Sequence, residues 1–235
     1  MKLEIKKLSK SYGDKEVLNN IDFTFSSGRI YGLLGRNGAG KTTFFNALDG
    51  DIEINSGEFT LEKDNKKTSL QSSDIGYVTA TPTVPEFLTA REFIKFFLDI
   101  SEDKVENLKD IDYYFDLVKL PKSEQDILLK EYSHGMKNKI QILINIITEP
   151  NVILLDEPLT ALDIVVQEDM KKLLKRLKEN HIIIISTHIL ELATDLCDEI
   201  VILSNKSLEL VEKNNLNTKN YKDKIIKELR TEENV

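Results

Sequence analysis

Cysteine is almost absent from this chain of 235 residues: Cys197 is its one thiol, so no disulfide can form within it. That suits a reducing cytoplasm, and Cys197 itself reads as a small buried residue near a helix end. Long apolar runs are missing as well. The most apolar, Ile140 to Ile147 and Ile182 to Ile185, fall far short of the roughly 20 residues that cross a bilayer, and Gln141 and Asn145 interrupt the first. The opening Met1-Lys2-Leu3-Glu4-Ile5 alternates and carries acid, so it reads as a strand and not as a signal peptide. A chain soluble by itself is expected, with a membrane partner left open. Proline and glycine are scarce, at five and ten residues. With 40% hydrophobic and 31% charged residues, this excludes wholesale disorder, collagen-like repeats and disulfide scaffolds. Net positive charge is lacking too. At −8 the chain is not expected to hold nucleic acid by neutralising phosphates. There is no internal repeat.

What is present is a strand-rich start followed by strand–helix alternation. Leu3, Ile5 and Leu8 alternate with polar residues, Gly13-Asp14 marks a turn, and Ile21 to Phe25 alternates again, which predicts an antiparallel sheet. Ile30 to Leu34 reads as a short buried strand, Lys41 to about Leu48 as a helix broken at Gly50, and Ser56 to Leu61 and Ile75 to Val78 as further strands. Helical spacing runs from Thr89 to about Leu120, with a polar break near Ser101 to Asp103, and again from Met136 to Ile147. The second half alternates Val152–Leu155 strand, Ile164–Leu177 helix, Ile182–Ile185 strand, Ile189–Leu196 helix and Ile200–Leu203 strand. That order predicts a parallel α/β sheet with helices on its faces. From about Lys213 the chain is highly charged and weakly patterned, read as a solvated tail or a frayed helix.

Five of the ten glycines fall between Gly28 and Gly40. Within that stretch Gly35-Arg36-Asn37-Gly38-Ala39-Gly40-Lys41-Thr42, with Thr43 next, fits the G-x-x-x-x-G-K-[ST] phosphate loop between an apolar strand and a helix. The glycines let successive backbone N–H groups converge on phosphate oxygens at a helix N-terminus. Lys41 reaches the β- and γ-phosphates, and Thr42 offers a hydroxyl to Mg²⁺. A glycine-rich surface turn is the plainer explanation, but the flanking strand and helix disfavour it. A second signal supports the loop: the apolar strand from Val152 ends in Asp156-Glu157-Pro158. In P-loop enzymes an acid at such a strand end holds Mg²⁺, here Asp156, while Glu157 faces the γ-phosphate and polarises the attacking water. Alone, an Asp-Glu pair there would read as a turn or a helix cap.

Together these residues resemble the ATP-binding cassette (ABC) family over about residues 1–210. Tyr132-Ser133-His134-Gly135-Met136 looks like the family's signature in its Ser-x-Gly-Met-Lys form, familiar from antibiotic, peptide and drug exporters. Ser133 and the Gly135 backbone at a helix N-terminus would make a second anion site, which in the family meets the loop of another cassette. By the same resemblance Tyr12 stacks on adenine, although a core tyrosine at a strand end fits its position too. Asp163, in Ala161-Leu162-Asp163, crosses the dimer interface. His188, in Ser186-Thr187-His188, contacts the γ-phosphate, whereas alone it would read as a helix cap or surface residue; His181 reads as structural. One departure stands out. The family's glutamine after the Ile75–Val78 strand is replaced by Ala80, and no glutamine occurs from Ser72 to Glu124. Weaker Mg²⁺ dependence and slow turnover are expected from that loss. His134, in place of the signature's first glycine, adds bulk beside phosphate.

The resemblance therefore implies an α/β P-loop cassette over residues 1–212 and a charged tail over 213–235. Within the cassette it implies an N-terminal antiparallel subdomain, a mixed parallel core, and a helical signature subdomain over about 85–147. It implies an ATPase using ATP and Mg²⁺, with Lys41, Glu157 and His188 as catalytic residues. Its expected partners are a second cassette and a transmembrane permease, on the cytoplasmic face of the membrane, with export as the direction of transport. Phe87 and Leu88 are expected to meet the permease. The alternative is a soluble ABC ATPase in an assembly role, for example in iron–sulfur cluster assembly.

Overall fold

The structure is a computed structural model that describes residues 1–103, 105, 108–159, 162, 164–211, 223, 225 and 226. Asp163 and most of the charged tail lie outside the described residues; of the tail, Asp223, Ile225 and Ile226 are helical, and Ile225 is buried.

Two sheets make the frame. The first contains β1 (Lys2–Tyr12), β2 (Lys15–Ser26), β4 (Ser56–Lys63) and β5 (Lys66–Ser69), antiparallel in the order β2-β1-β4-β5. Its members pair Leu3 with Phe25 and with Leu61, so apolar residues fall together on one face. The second sheet holds β3 (Ile30–Leu34), β6 (Ile75–Val78), β7 (Val152–Asp156), β8 (Ile182–Thr187), β9 (Glu199–Ser204) and β10 (Ser207–Val211), in the order β10-β9-β3-β8-β7-β6. All its pairs are parallel except β9–β10, so the sheet is mixed as the resemblance implies.

The central strands β3, β7 and β8 are buried at every position, and apolar until the polar ends of β7 and β8, because both faces are covered. Ile153, Leu155, Ile183 and Ile185 face one cluster, while Val152, Leu154, Ile182 and Ile184 face the other. The second cluster also takes Phe44 and Phe45 of α1 (Lys41–Asp49) and Leu3, Ile5 and Phe25 of the antiparallel sheet, so α1 lies between the sheets. Each such side chain contributes about 1.5–3 kcal/mol on burial. The loop that precedes α1 is thereby fixed from both sides.

The first cluster is roofed by helices. The predicted stretch from Thr89 resolves into α2 (Ala90–Ser101) and α3 (Ile111–Leu117) on either side of the polar break. A capping box starts α2: Glu92 N–H donates to Thr89 Oγ1 at 3.2 Å, and Thr89 N–H to Glu92 Oε2 at 2.8 Å. After the short α4 (Lys122–Gln125) comes α5 (His134–Thr148), which begins two residues earlier than its apolar spacing suggests because Ser133 caps it. Two further helices, α6 (Ile164–Leu177) and α7 (Leu190–Leu196), complete the crossovers. Among the described residues no helix is long and apolar enough to cross a membrane.

Candidate functional site

The glycine-rich loop leaves β3 at Leu34 and enters α1 at Lys41. Gly38 and Gly40 sit at φ +85° and +107°, a region that costs other residues strain. Ala39 N–H donates back to the Arg36 carbonyl at 3.1 Å, closing the turn. The Lys41 ammonium is tucked inside it, 2.8 Å from the Gly35 carbonyl and 3.2 Å from that of Arg36. Burial pulls its pKa below the usual lysine range, against the opposing charges of Glu157 and Asp156.

Two strand ends deliver the acids. Asp156, buried at the end of β7, accepts the Thr42 hydroxyl at 2.9 Å on one oxygen and the Ser186 hydroxyl on the other. Ser186 stands opposite Asp156 in the β7–β8 register. Sequence reasoning passed over Ser186 as a site residue, because only that strand register brings it to the carboxylate. Glu157 follows with φ +50°, its N–H donating to the Ser186 carbonyl at 3.2 Å. Its Oε1 lies 2.7 Å from His188 Nδ1.

The loop and the two acids border a cleft of about 360 Å³. Asn37, Gly38, Gly40, Lys41, Thr42 and Thr43 line it from the loop, Asp156 and Glu157 close one end, and Tyr12 stands at the rim. Tyr12 is 50% exposed with the Lys10 ammonium 4.7 Å from its ring centre, so it is no core tyrosine. Lys15 and Val17 of β2, which the sequence did not single out, line the cleft too. Ala80 contributes to the wall beside the acids, while the Thr79 hydroxyl donates to the Thr81 carbonyl at 2.8 Å. Arg36 and Ala39 face a neighbouring hollow with Lys15 and Lys206, and Gly35 and His188 border a third.

The signature residues lie elsewhere. Ser133 is exposed at the start of α5, its Oγ accepting from Met136 N–H at 3.2 Å, and neither it nor Gly135 lines the cleft. Asp163 lies outside the described residues. His181 is buried with Nδ1 on the Pro150 carbonyl, a structural placement.

Comparison with known proteins follows this geometry. A family model described as ABC transporter matches residues 18–160. The chain is similar to an uncharacterized ABC transporter ATP-binding protein of Methanocaldococcus jannaschii, 36% identical over 204 residues, 86% of this chain and 74% of that protein. It is 32% identical over 210 residues to the Nod factor export ATP-binding protein I of Sinorhizobium fredii, covering 86% of this chain and 60% of that protein. A solved structure of an ATP-binding subunit of an ABC transporter superposes with a TM-score of 0.79 at 25% identity, over 97% of this chain and 99% of the other. The family match spans more than half of the chain and takes in both the phosphate loop and the acidic strand end, so this protein belongs to the ABC transporter family as an ATP-binding subunit.

Proposed function

We propose that this chain is the ATP-hydrolysing subunit of an exporter and works as a pair of cassettes beneath a separate transmembrane permease. One observation carries the reading: the helix end at Ser133 and His134 is exposed, with Gly135 half-buried behind it, yet none of the three lines the cleft of its own chain. A second cassette facing head to tail would bring that end to the nucleotide held by the loop, with Asp163 in the segment between the chains. The export direction rests on the relative in Sinorhizobium fredii, whose name states it.

In this reading the loop N–H groups and Lys41 bind the phosphates and Tyr12 stacks on the base. The chain also fits Mg²⁺. Thr42 and buried Asp156 form a hard-oxygen pair already joined by a 2.9 Å hydrogen bond. One or two protein oxygens, with phosphates and water, are the usual complement for that ion. Held by Thr42 and Asp156, the ion would supply positive charge against the phosphate oxygens. Glu157 orients the attacking water, His188 holds the carboxylate and meets the γ-phosphate, and such a positioned base is worth about 10²–10⁴ in rate.

The permease would hold the subunit peripherally at the cytoplasmic face. Phe87, 78% exposed on the segment before α2, is the apolar contact it offers, whereas Leu88 is half-buried, its carbonyl accepting from Leu129 N–H. We read residues 1–212 as the cassette, with its helical subdomain near 85–147.

The test is Glu157→Gln with ATP and Mg²⁺, followed by light scattering behind size exclusion. A stable ATP-bound dimer is expected, because the closed state forms and cannot hydrolyse its way open. A variant that stays monomeric, with or without its permease, would overturn the reading.

A further inference from the structure

One polar side chain outside the cleft is placed as if to aim the acid within it. Asn138, in the second turn of α5, is 2% exposed, and its Nδ2 lies 3.3 Å from the Pro158 carbonyl oxygen. A carbonyl only accepts, so the amide nitrogen is the atom that faces it. Asn138 Oδ1 is buried with no hydrogen-bond partner among the described residues. A half-satisfied buried amide is a cost that a leucine of similar size would avoid. What the asparagine supplies in return is the bond from Nδ2.

That bond falls next to the most constrained peptide of the site. Glu157 holds a left-handed φ of +50° without being glycine, a conformation that persists only when its surroundings fix it. On one side the fixing is plain: Glu157 N–H donates to the Ser186 carbonyl. On the other, Pro158 has no N–H to give, so its carbonyl is the handle left. Asn138 takes it. Gln167 Nε2 of α6 donates to two carbonyls further on, Leu159 at 2.9 Å and Leu162 at 3.0 Å. Leu162 in turn presses on the signature, its Cδ2 2.6 Å from where a Cβ on Gly135 would stand.

We propose that Asn138 is a positioning residue for Glu157: it ties the signature helix α5 to the turn that sets the direction of the carboxylate, so the Ser133 end and Glu157 of one chain move together. The inference rests on the reading of Glu157 as the group that orients water. It gives each cassette a direct route from the helix end that would touch its neighbour's nucleotide to the acid acting on its own. The same helix holds the segment before α2, through Gln141 Nε2 to the Thr83 carbonyl and Lys137 to Glu86, both at 3.1 Å.

Asn138→Leu, Asn138→Ser and Asn138→Gln in the full chain test it by two independent readouts. In amide hydrogen exchange on the nucleotide-free protein, Leu and Ser should speed exchange at Glu157 and Leu159 at least fivefold, with Val152 to Asp156 unchanged. In steady-state ATPase assays both should lower kcat at least tenfold with KM for ATP within twofold, and Gln, which restores a donor, should recover part of the loss. Exchange and kcat both at wild-type values would overturn the proposal, as would kcat and KM changing in step or Gln behaving like Leu. If the wild-type chain shows no ATPase that Glu157→Gln abolishes, the hydrolytic reading fails, and the exchange data still decide whether Asn138 anchors the turn.

Discussion

A single methyl group marks where this cleft departs from its family. Ala80 lines the wall that Thr42, Asp156 and Glu157 share, at the position where the resemblance calls for glutamine. The neighbouring Thr79 spends its hydroxyl proton on the Thr81 carbonyl, so it does not supply the missing amide. Ala80→Gln should therefore add one polar contact to the nucleotide and its ion. A contact of about 1 kcal/mol corresponds to roughly fivefold in affinity or rate. We expect a tighter apparent Mg²⁺ requirement and faster ATP turnover of that order, read by titrating Mg²⁺ in an ATPase assay. If neither changes, Ala80 has no part in the slow turnover expected here. At this scale much of the site was legible. Lys41, Thr42, Asp156 and Glu157 stand at fixed distances along the chain from a strand end, which sequence records directly. Ser186 and Asn138 were not, because each acts through a partner that only strand register or helix packing brings near.

Elements were legible where burial made a pattern. The core strands β3, β7, β8 and β9 announced themselves as apolar runs, since each is covered on both faces. β5 did not: all four of its residues, Lys66 to Ser69, are exposed, and the ladder to β4 with surface ion pairs from Lys67 to Glu4 and Glu62 holds it. β10 was missed for a similar reason, being an edge strand that buries little besides Val211 and merges into charged sequence. Helix α5 illustrates what spacing leaves out. It lies directly on edge strand β6, so close that a Cβ on Gly76 would fall 1.5 Å from Asn145 Oδ1 and 2.8 Å from Pro150 Cγ. The amide could turn away, but the proline ring has little room to. Gly76→Ala should thus act as an overpacking substitution, costing about 1–3 kcal/mol in urea-induced unfolding. A loss below about 0.5 kcal/mol, the range of ordinary surface changes, would show that α5 is free to lift from the sheet.

Across the whole molecule, the junction of α5 with the parallel sheet also sets how stability responds to acid. His181 enters β8 and is 7% exposed, its Nδ1–H donating to the Pro150 carbonyl at 2.6 Å, while Ile182 N–H donates to Asn151. Burial lowers its pKa from the usual 6.5, only partly offset by the Pro150 carbonyl and the charge of Glu149. Below about pH 6.5 the unfolded chain therefore takes up a proton at this position before the folded one does. More protons bound in the unfolded state means that unfolding free energy falls as pH falls. The contribution of His181 is present in full above that pH and is lost progressively toward its lowered folded value. The slope from one group cannot exceed about 1.4 kcal/mol per pH unit. Carboxylates held low on the surface, such as Glu92 and Asp169, add their own losses, but at lower pH. The difference between the wild type and His181→Asn isolates the histidine, because Asn keeps a donor but cannot titrate. Urea unfolding at pH 7.5, 6.5 and 5.5 should give converging stabilities, with the wild type declining more steeply below 6.5. Parallel lines would mean that His181 takes up its proton as readily inside the fold as outside it, so that the Pro150 carbonyl and Glu149 fully balance its burial.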